Sequence, residues 1–533
     1  MADEIKAKAE SRPDSRRRGG GRKARRDERQ SIAPSSAVGA GHMGGTFKPL
    51  SDIDVENIHQ SVLEVLSTIG VGDPTQELLD IALPKGCVLS EEGRLLFPTS
   101  LMEDILSGAA KEYTVHGRGS RKVSGSVHTS DHKVHYVIAG QAVTTFDAKA
   151  DSYRPSVLSD IYDFARLVDT LEHVHMAGVP VVAGDISDDP LKHDINCAYS
   201  VMSGTEKPFS CYFSTKESLG MGIEMFDHVL GGEGRFEKEP FAIFGGCPIL
   251  SPLNFGEDNL EILIETSRRG LVSDIAVAPQ AGATAPASLA GALVQVVSET
   301  LASLAVVNLV NPGCGMTYAG WPFVSDLRTG SFSGGSGEEA ILAAASVQIG
   351  NWYGLPTSVA AGMTDSKVSD AQSGYEKGIT AVLASLAGCN RVSECVGMMG
   401  SLMGLSFENA IIDNDMLGMA MRTVRGIEVN EETMAVNVIR DVAHGAGHYL
   451  GHQQTLGLMQ TEFLYPNLAD RQPQGPWAEE GSLTIYDRAR DVVHATMTTH
   501  FPDHIPEEID AAIRSKFPIA LPREFMKDAS GRW

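Results

Sequence analysis

Cysteine is scarce in this 533-residue chain: seven residues, an odd count, with no two spaced as CxxC. A disulfide framework is therefore excluded, and reduced intracellular thiols are expected. No uninterrupted run of 18 or more apolar residues occurs, and no apolar stretch of signal-peptide type follows the basic N-terminus. Neither a membrane span nor export is expected, so the protein reads as cytoplasmic. Missing as well are HExxH and a P-loop, the usual anchors of metalloprotease and nucleotide-hydrolase readings. Aromatic residues make up only 6%, so any place where they gather is informative.

What is present is an ordinary globular composition, 42% hydrophobic and 21% charged, long enough for a large core. The charge is uneven. Eleven Lys and Arg against six acids fall in the first thirty residues, while the whole chain is −24, so the remainder carries about −29. An acidic body of that size repels nucleic acid and anionic membrane, and neither is expected as a partner. The basic "SRRRGGGRKARRDERQ" is then a tail, read as a solvated arm with partner docking as its rival.

Residues 1–45 are polar, charged and Gly-rich and are expected to be a disordered basic tail. Residues 46–160 read as a mixed α/β lead-in, opened by the amphipathic helix pattern of "SDIDVENIHQSVLEVLSTIG" with Ser51 as cap and Gly70 as stop. From about residue 160, apolar Gly-containing strands alternate with helix-period segments. Seven such strands are legible: "VHMAGVPVVAG", "PFSCYFST", "FAIFGGCPILSP", "SDIAVAPQAGAT", "GCGMTYAGWPF", "PTSVAAGMTDSK" and "NRVSECVGMMG". That alternation predicts an α/β fold, a closed (β/α)8 barrel over 161–430 whose eighth strand is not placed. A helical and irregular C-terminal extension, 431–533, is expected to complete the barrel face.

Active sites of such barrels lie where the strands end at their C-termini. The residues there are Tyr212 and Phe213, Phe255, Gln280, Tyr318, Trp321, Phe323, the run Asp365, Ser366 and Lys367, and Glu394. Aromatic faces with a few carboxylates suit a cation, above all a methylated amine. Each ring has an alternative as a core lid, and Asp365 with Lys367 as a cap or surface pair. Glu394 interrupts an otherwise apolar strand, where an unpaired carboxylate is costly, and with Asp365 it is the catalytic candidate. In "HGAGHYLGH", His444, His448 and His452 recur every four residues, but three glycines among nine residues argue against one helix holding zinc. No metal is expected.

Several stretches resemble the trimethylamine methyltransferase superfamily of corrinoid-dependent enzymes: "RRRGGGRKARR", "GMTDSKVSDAQSGYEKG", "IIDNDMLGMAMRTVRGIEVNEETMA" and "GHYLGHQQTLGLMQTEFLYPNLADR". The likeness implies a TIM barrel. It also implies transfer of a methyl group from an amine to the Co(I) form of a cobalamin carried by a separate small corrinoid protein, with no tightly held cofactor. The founding members carry pyrrolysine, whereas this chain uses the standard twenty residues and so is similar to the branch acting on quaternary amines such as glycine betaine. On that reading Phe213, Tyr318 and Trp321, flanked by Phe255 and Phe323, wall the cation, and Asp365 and Glu394 offset its charge. Gln280, Lys367 and His452 are the candidate donors for a betaine carboxylate. A homo-oligomer is expected, and the competing reading is a barrel that binds or senses a quaternary amine without catalysis.

Overall fold

The computed structural model describes residues 37–122, 124–445, 447–528 and 531–533; the basic run lies in residues 1–36, outside them. The chain divides into a larger unit, Val38–Asn430 with Tyr465–Trp533, and a smaller one whose described part, besides Ala37, is Glu431–Leu464. The segment 431–533, expected as one extension, is thus shared between the two.

The larger unit is a mixed α/β structure. Eight segments run parallel: β1 Lys133–Tyr136, β2 Ala177–Gly178, β3 Phe209–Tyr212, β4 Ala242–Gly246, β5 Ser273–Ile275, β6 at 316–320, β7 Ser358–Ala360 and β8 Arg391–Ser393. Each pairs with the next, β1 to β2 through Val137 and Met176, β5 to β6 through Ser273 and Met316, β6 to β7 through Tyr318 and Thr357. The last returns to the first, Arg391 opposite His135 and Val392 opposite Tyr136. The pairing therefore closes on itself. A helix follows each strand: α1 Leu158–Asp169, α2 Pro190–Gly204, α3 Lys216–Leu230, α4 Glu257–Arg268, α5 Leu289–Val310, α6 Gly337–Trp352, α7 Ala371–Leu386 and α8 Phe407–Arg425.

The strand that the sequence left unplaced is the first. β1 was assigned to the lead-in because a hairpin, Thr144–Asp147 against Ser152–Pro155, separates it from α1 and breaks the regular spacing. Order also begins before residue 45: His42–Met43 pairs antiparallel with β1.

Local chemistry sets the ends of these elements. Ser51 and Asp54 form a reciprocal capping box on helix Asp52–Glu64, and Asp370 with Ser373 does the same for α7. Helix α5 is apolar on all sides and long enough by length and composition to cross a membrane, yet 89% of its most apolar window is buried within the protein. Ser298, Glu299 and Thr300 interrupt its sequence, so no continuous apolar run announces it. It belongs to a large core, where Val62 and Leu66, Leu78 and Met102 from the lead-in helices meet Leu301 and Val307.

Arg391 of β8 reaches Asp274 of β5, three strands on, so the two side chains cross the interior of the ring. Nη2 donates to Oδ2 at 2.8 Å and Nη1 to Oδ1. Arg391 is fully buried and Nη1 also meets Thr317 Oγ1 at 3.2 Å, which the Tyr113 hydroxyl meets at 2.7 Å. Val115, Val127, Val137, Met176 and Ile243 pack with Tyr113 and fill the N-terminal end.

A buried guanidinium without its counter-ion is costly. Asp274→Ala is expected to lower unfolding free energy by about 3–5 kcal/mol in chemical denaturation. A loss below about 1 kcal/mol would show that the pair does not hold the interior.

Candidate active site

The Asp274–Arg391 contact fixes which face of each strand looks inward, because side chains alternate along a strand. From Ser273 to Gln280 the burial alternates with it: Ser273, Ile275, Val277 and Pro279 are buried, while Asp274, Ala276, Ala278 and Gln280 are only half-buried. The inward face of β5 therefore reaches solvent toward the C-terminal end of the ring. Here Gln280 accepts from Ser325 Oγ through Oε1 at 2.9 Å.

The same alternation sorts the other candidates. On β6, Thr317, Ala319 and Trp321 point inward and Tyr318 points out. Tyr318 is buried against α6, where a Cβ on Gly350 would come within 2.7 Å of its ring. It is core, not mouth. On β3, Tyr212 faces in; Phe213, the next residue, faces out, its ring tilted against Phe244 with centroids 5.6 Å apart and lying over Gly222 of α3. Of the pair expected at this strand end, Tyr212 is the one whose ring faces inward. Phe255 ends a short hairpin with Ile249 and is buried in the core shared with the lead-in.

Trp321 and Phe323 do meet at the mouth. Their ring centroids are 6.3 Å apart, and Phe323 packs edge-on to Phe332 at 4.6 Å. Ala278, Ala360, Met363 and Leu402 complete this apolar cluster. Trp321 is half-buried, and its Nε1–H meets no acceptor among the described residues. Phe332, from the hairpin Phe323–Asp326 with Ser331–Ser333, was not anticipated.

Glu394 is the most unusual residue of the ring. It directly follows β8 with φ +66°, a conformation a non-glycine residue adopts at a cost. Its side chain is buried, and Oε2 meets no donor among the described residues. Gly140, just beyond β1, makes room for it: a Cβ there would collide with Oε2. Burial alone pushes the Glu394 carboxyl up to about 8. Burial, then the Asp274 and Glu394 carboxylates, raise the Tyr212 phenol. The loop after Glu394 is fastened by Asp413, whose Oδ2 accepts from Gly397 N at 2.7 Å and from Lys377 Nζ at 2.9 Å.

Asp365 has a different position. Its carboxylate accepts from Ser333 Oγ at 2.6 Å, Gly334 N at 2.8 Å and Ser401 Oγ at 2.8 Å, tying three loops together. Lys367 is exposed and its Nζ donates to the Asp365 carbonyl at 2.7 Å; it lines a separate cavity beside the Phe146–Tyr153 hairpin. His452 belongs to the smaller unit, where its Nδ1 accepts from Gln454 N at 3.1 Å and caps helix Gln453–Leu458. His444 closes a different helix, Val436–Ala443, and among the described residues no three His, Cys, Asp or Glu converge as metal ligands.

A model of the trimethylamine methyltransferase family matches residues 18–519 of the 533. The chain belongs to this family. The glycine betaine methyltransferase of Desulfitobacterium hafniense strain Y51 is 30% identical over 88% of this chain and 96% of its own length. A trimethylamine methyltransferase of Methanosarcina mazei is 30% identical over 86% and 92%, and that of Methanosarcina thermophila 29% over 86% and 94%. Among solved structures, the carboxyl transferase domain of Rhizobium etli pyruvate carboxylase covers 94% of the chain at 10% identity and a TM-score of 0.31, too loose a likeness to argue from. As a member of the trimethylamine methyltransferase family the chain is an enzyme that transfers methyl groups, and the sensing alternative falls away.

For a family member whose reaction has a methyl donor and an acceptor to align, the mouth offers ring faces on Trp321 and Phe332, a buried carboxyl on Glu394 whose Oε2 meets no donor among the described residues, and a floor already charge-balanced by Asp274 and Arg391. Of these, the carboxyl gives a measurable signature. The native state holds Glu394 protonated up to about 8 while the unfolded chain releases that proton near 4.5. Between those values the unfolded state binds fewer protons, so this contribution to stability is full below 4.5 and falls as pH rises toward 8. The unfolding free energy of the wild type minus that of Glu394→Gln is therefore expected to decline across that window and then level off. A difference that stays flat with pH would mean that Glu394 is not held neutral.

Proposed function

We propose that the closed ring of eight βα units is a (β/α)8 barrel, and that its mouth takes a methylated amine as methyl donor, specifically a quaternary amine such as glycine betaine. The observation that carries this reading is the buried Glu394 carboxyl, whose Oε2 meets no donor among the described residues and which acts on the inward-facing Tyr212, at the end of the ring that also bears the Trp321–Phe332 cluster. A permanently positive nitrogen gains from ring faces and from a single nearby carboxylate in a dry setting. The absence of pyrrolysine from the sequence and the similarity to a glycine betaine methyltransferase support the same substrate class.

A quaternary nitrogen leaves as a neutral amine, so the protein has no need to protonate it. The work left to the chain is placement and exclusion of water. Trp321, with Phe323 and Phe332 behind it, provides a face for the N-methyl groups. Glu394, protonated at neutral pH when alone, ionises as a cation arrives beside it, which binds the donor by charge and releases one proton from its carboxyl to the solvent. Gln280, half-buried on the inward face, offers its side-chain amide to a carboxylate tail. Asp365 acts at one remove, by fastening the loops that carry the mouth.

The acceptor in this reading is the cobalt of a Co(I) corrinoid, which when bound supplies the nucleophile that takes the methyl. The partly buried Trp321, Phe332 and Leu402 would offer an apolar face to a flat macrocycle presented from outside by a corrinoid protein. A cytoplasmic location and a homo-oligomeric state complete the proposal.

The test is incubation of the full chain with glycine betaine and reduced cobalamin, following demethylated amine and methylated acceptor together. Transfer from a quaternary amine is expected, and no transfer from any methylated amine would overturn the reading. Trp321→Ala is expected to weaken binding of the amine by on the order of 1–2 kcal/mol in a titration. Unchanged affinity with a lowered melting temperature would mark Trp321 as packing only.

A further inference from the structure

A second cavity, of about 110 Å³, lies outside the ring, between the Phe146–Tyr153 hairpin, the loop after β7, the loop after β8 and helix α9 Ile485–Thr499. Phe146 and Tyr153 meet edge-to-face with centroids 5.2 Å apart, and Tyr486 of α9 and Met399 add two more walls. The Tyr153 hydroxyl donates to the Lys367 carbonyl at 2.8 Å, so the hairpin and the β7 loop are joined at the cavity itself. An acidic and a basic residue, Asp151 and Lys367, are among its lining residues, with Lys367 Nζ held on the Asp365 carbonyl at 2.7 Å. Three aromatic rings and a thioether together with one acid and one base match a small molecule that is cationic and methylated at one end and anionic at the other.

We propose that this cavity is a second binding site for a betaine-type zwitterion, its ammonium among Phe146, Tyr153 and Tyr486 beside Asp151 and its carboxylate toward Lys367. The site is separate from the mouth, and its existence does not depend on the mouth being the place of methyl transfer. The two adjoin through one loop. Met399 and Ser406 line the outer cavity, and Leu402 between them belongs to the Trp321–Phe323 cluster. Ser401 in the same loop donates to Asp365. An occupant of the outer cavity therefore rests on the segment that also covers the mouth.

Equilibrium titration of the full chain with glycine betaine tests this directly. The wild type is expected to show two sites. Tyr486→Ala is expected to weaken one of them roughly fivefold to thirtyfold while leaving the other unchanged, and Tyr486→Phe, which keeps the ring, to retain both. Trp321→Ala is expected to affect the other site instead. Tetramethylammonium, which has no carboxylate, is expected to bind the outer site more weakly than glycine betaine, with the difference lost in Lys367→Met. A binding isotherm that is the same in Tyr486→Ala, itself folded by circular dichroism, as in the wild type overturns the outer site and leaves the mouth reading standing. Loss of the outer site in Tyr486→Ala in a chain that shows no methyl transfer would sustain this proposal and sink the other.

Discussion

The ion pair between Arg391 and Asp274 sets the terms for everything above it in the ring. A guanidinium with essentially no exposure persists only with a full counter-charge in reach, and burial, which opposes its charge, is outweighed by Asp274 and then Tyr113. Because Asp274 and Arg391 belong to strands three apart, their contact orients the inward face of the whole interior. It also neutralises the floor. Toward the C-terminal end lies the buried carboxyl of Glu394, whose Oε2 meets no donor among the described residues.

That isolation is the chemically useful feature. An acid with a hydrogen-bond donor or a basic neighbour is already satisfied and has little to gain from a ligand. Glu394 has neither on Oε2, is set in a left-handed backbone conformation, and depends on the missing side chain of Gly140 for space. Strain and an unmet polar atom at one residue mark a place where stability has been given up for something else. A methylated ammonium ion supplies the charge that this carboxyl lacks, and the carboxyl supplies what the ion loses on leaving water.

Much of this was legible before any coordinates. Strand ends at Trp321, Phe323, Gln280 and Glu394 followed from the βα rhythm, and the family resemblance in "TDSKVSDAQSGYEK" anticipated the match over nearly the whole chain. The errors have a common physical source. Strands reverse faces at each residue, so the rings of Tyr318 and Phe213 lie in the helix layer while their neighbours Thr317 and Tyr212 face the interior. Asp365 and Lys367 are spent on loop carbonyls, amides and hydroxyls that no spacing displays. His452 is in another unit altogether. The signal that was passed over is a charge inside an apolar strand: the Asp of "SDIAVAP" and the Arg of "NRVSE" are costly there singly and make sense only as partners. Phe332, on a hairpin arm between β6 and α6, left no such mark.

The central claim is that a cationic amine binds against Glu394. Its most direct test is titration calorimetry with glycine betaine at pH 7 in buffers of differing ionisation enthalpy. The account predicts that the observed enthalpy varies with the buffer in the sense of proton release in the wild type, and that this dependence vanishes in Glu394→Gln. Binding by the wild type with no dependence on the buffer, or the same dependence in both proteins, would contradict it.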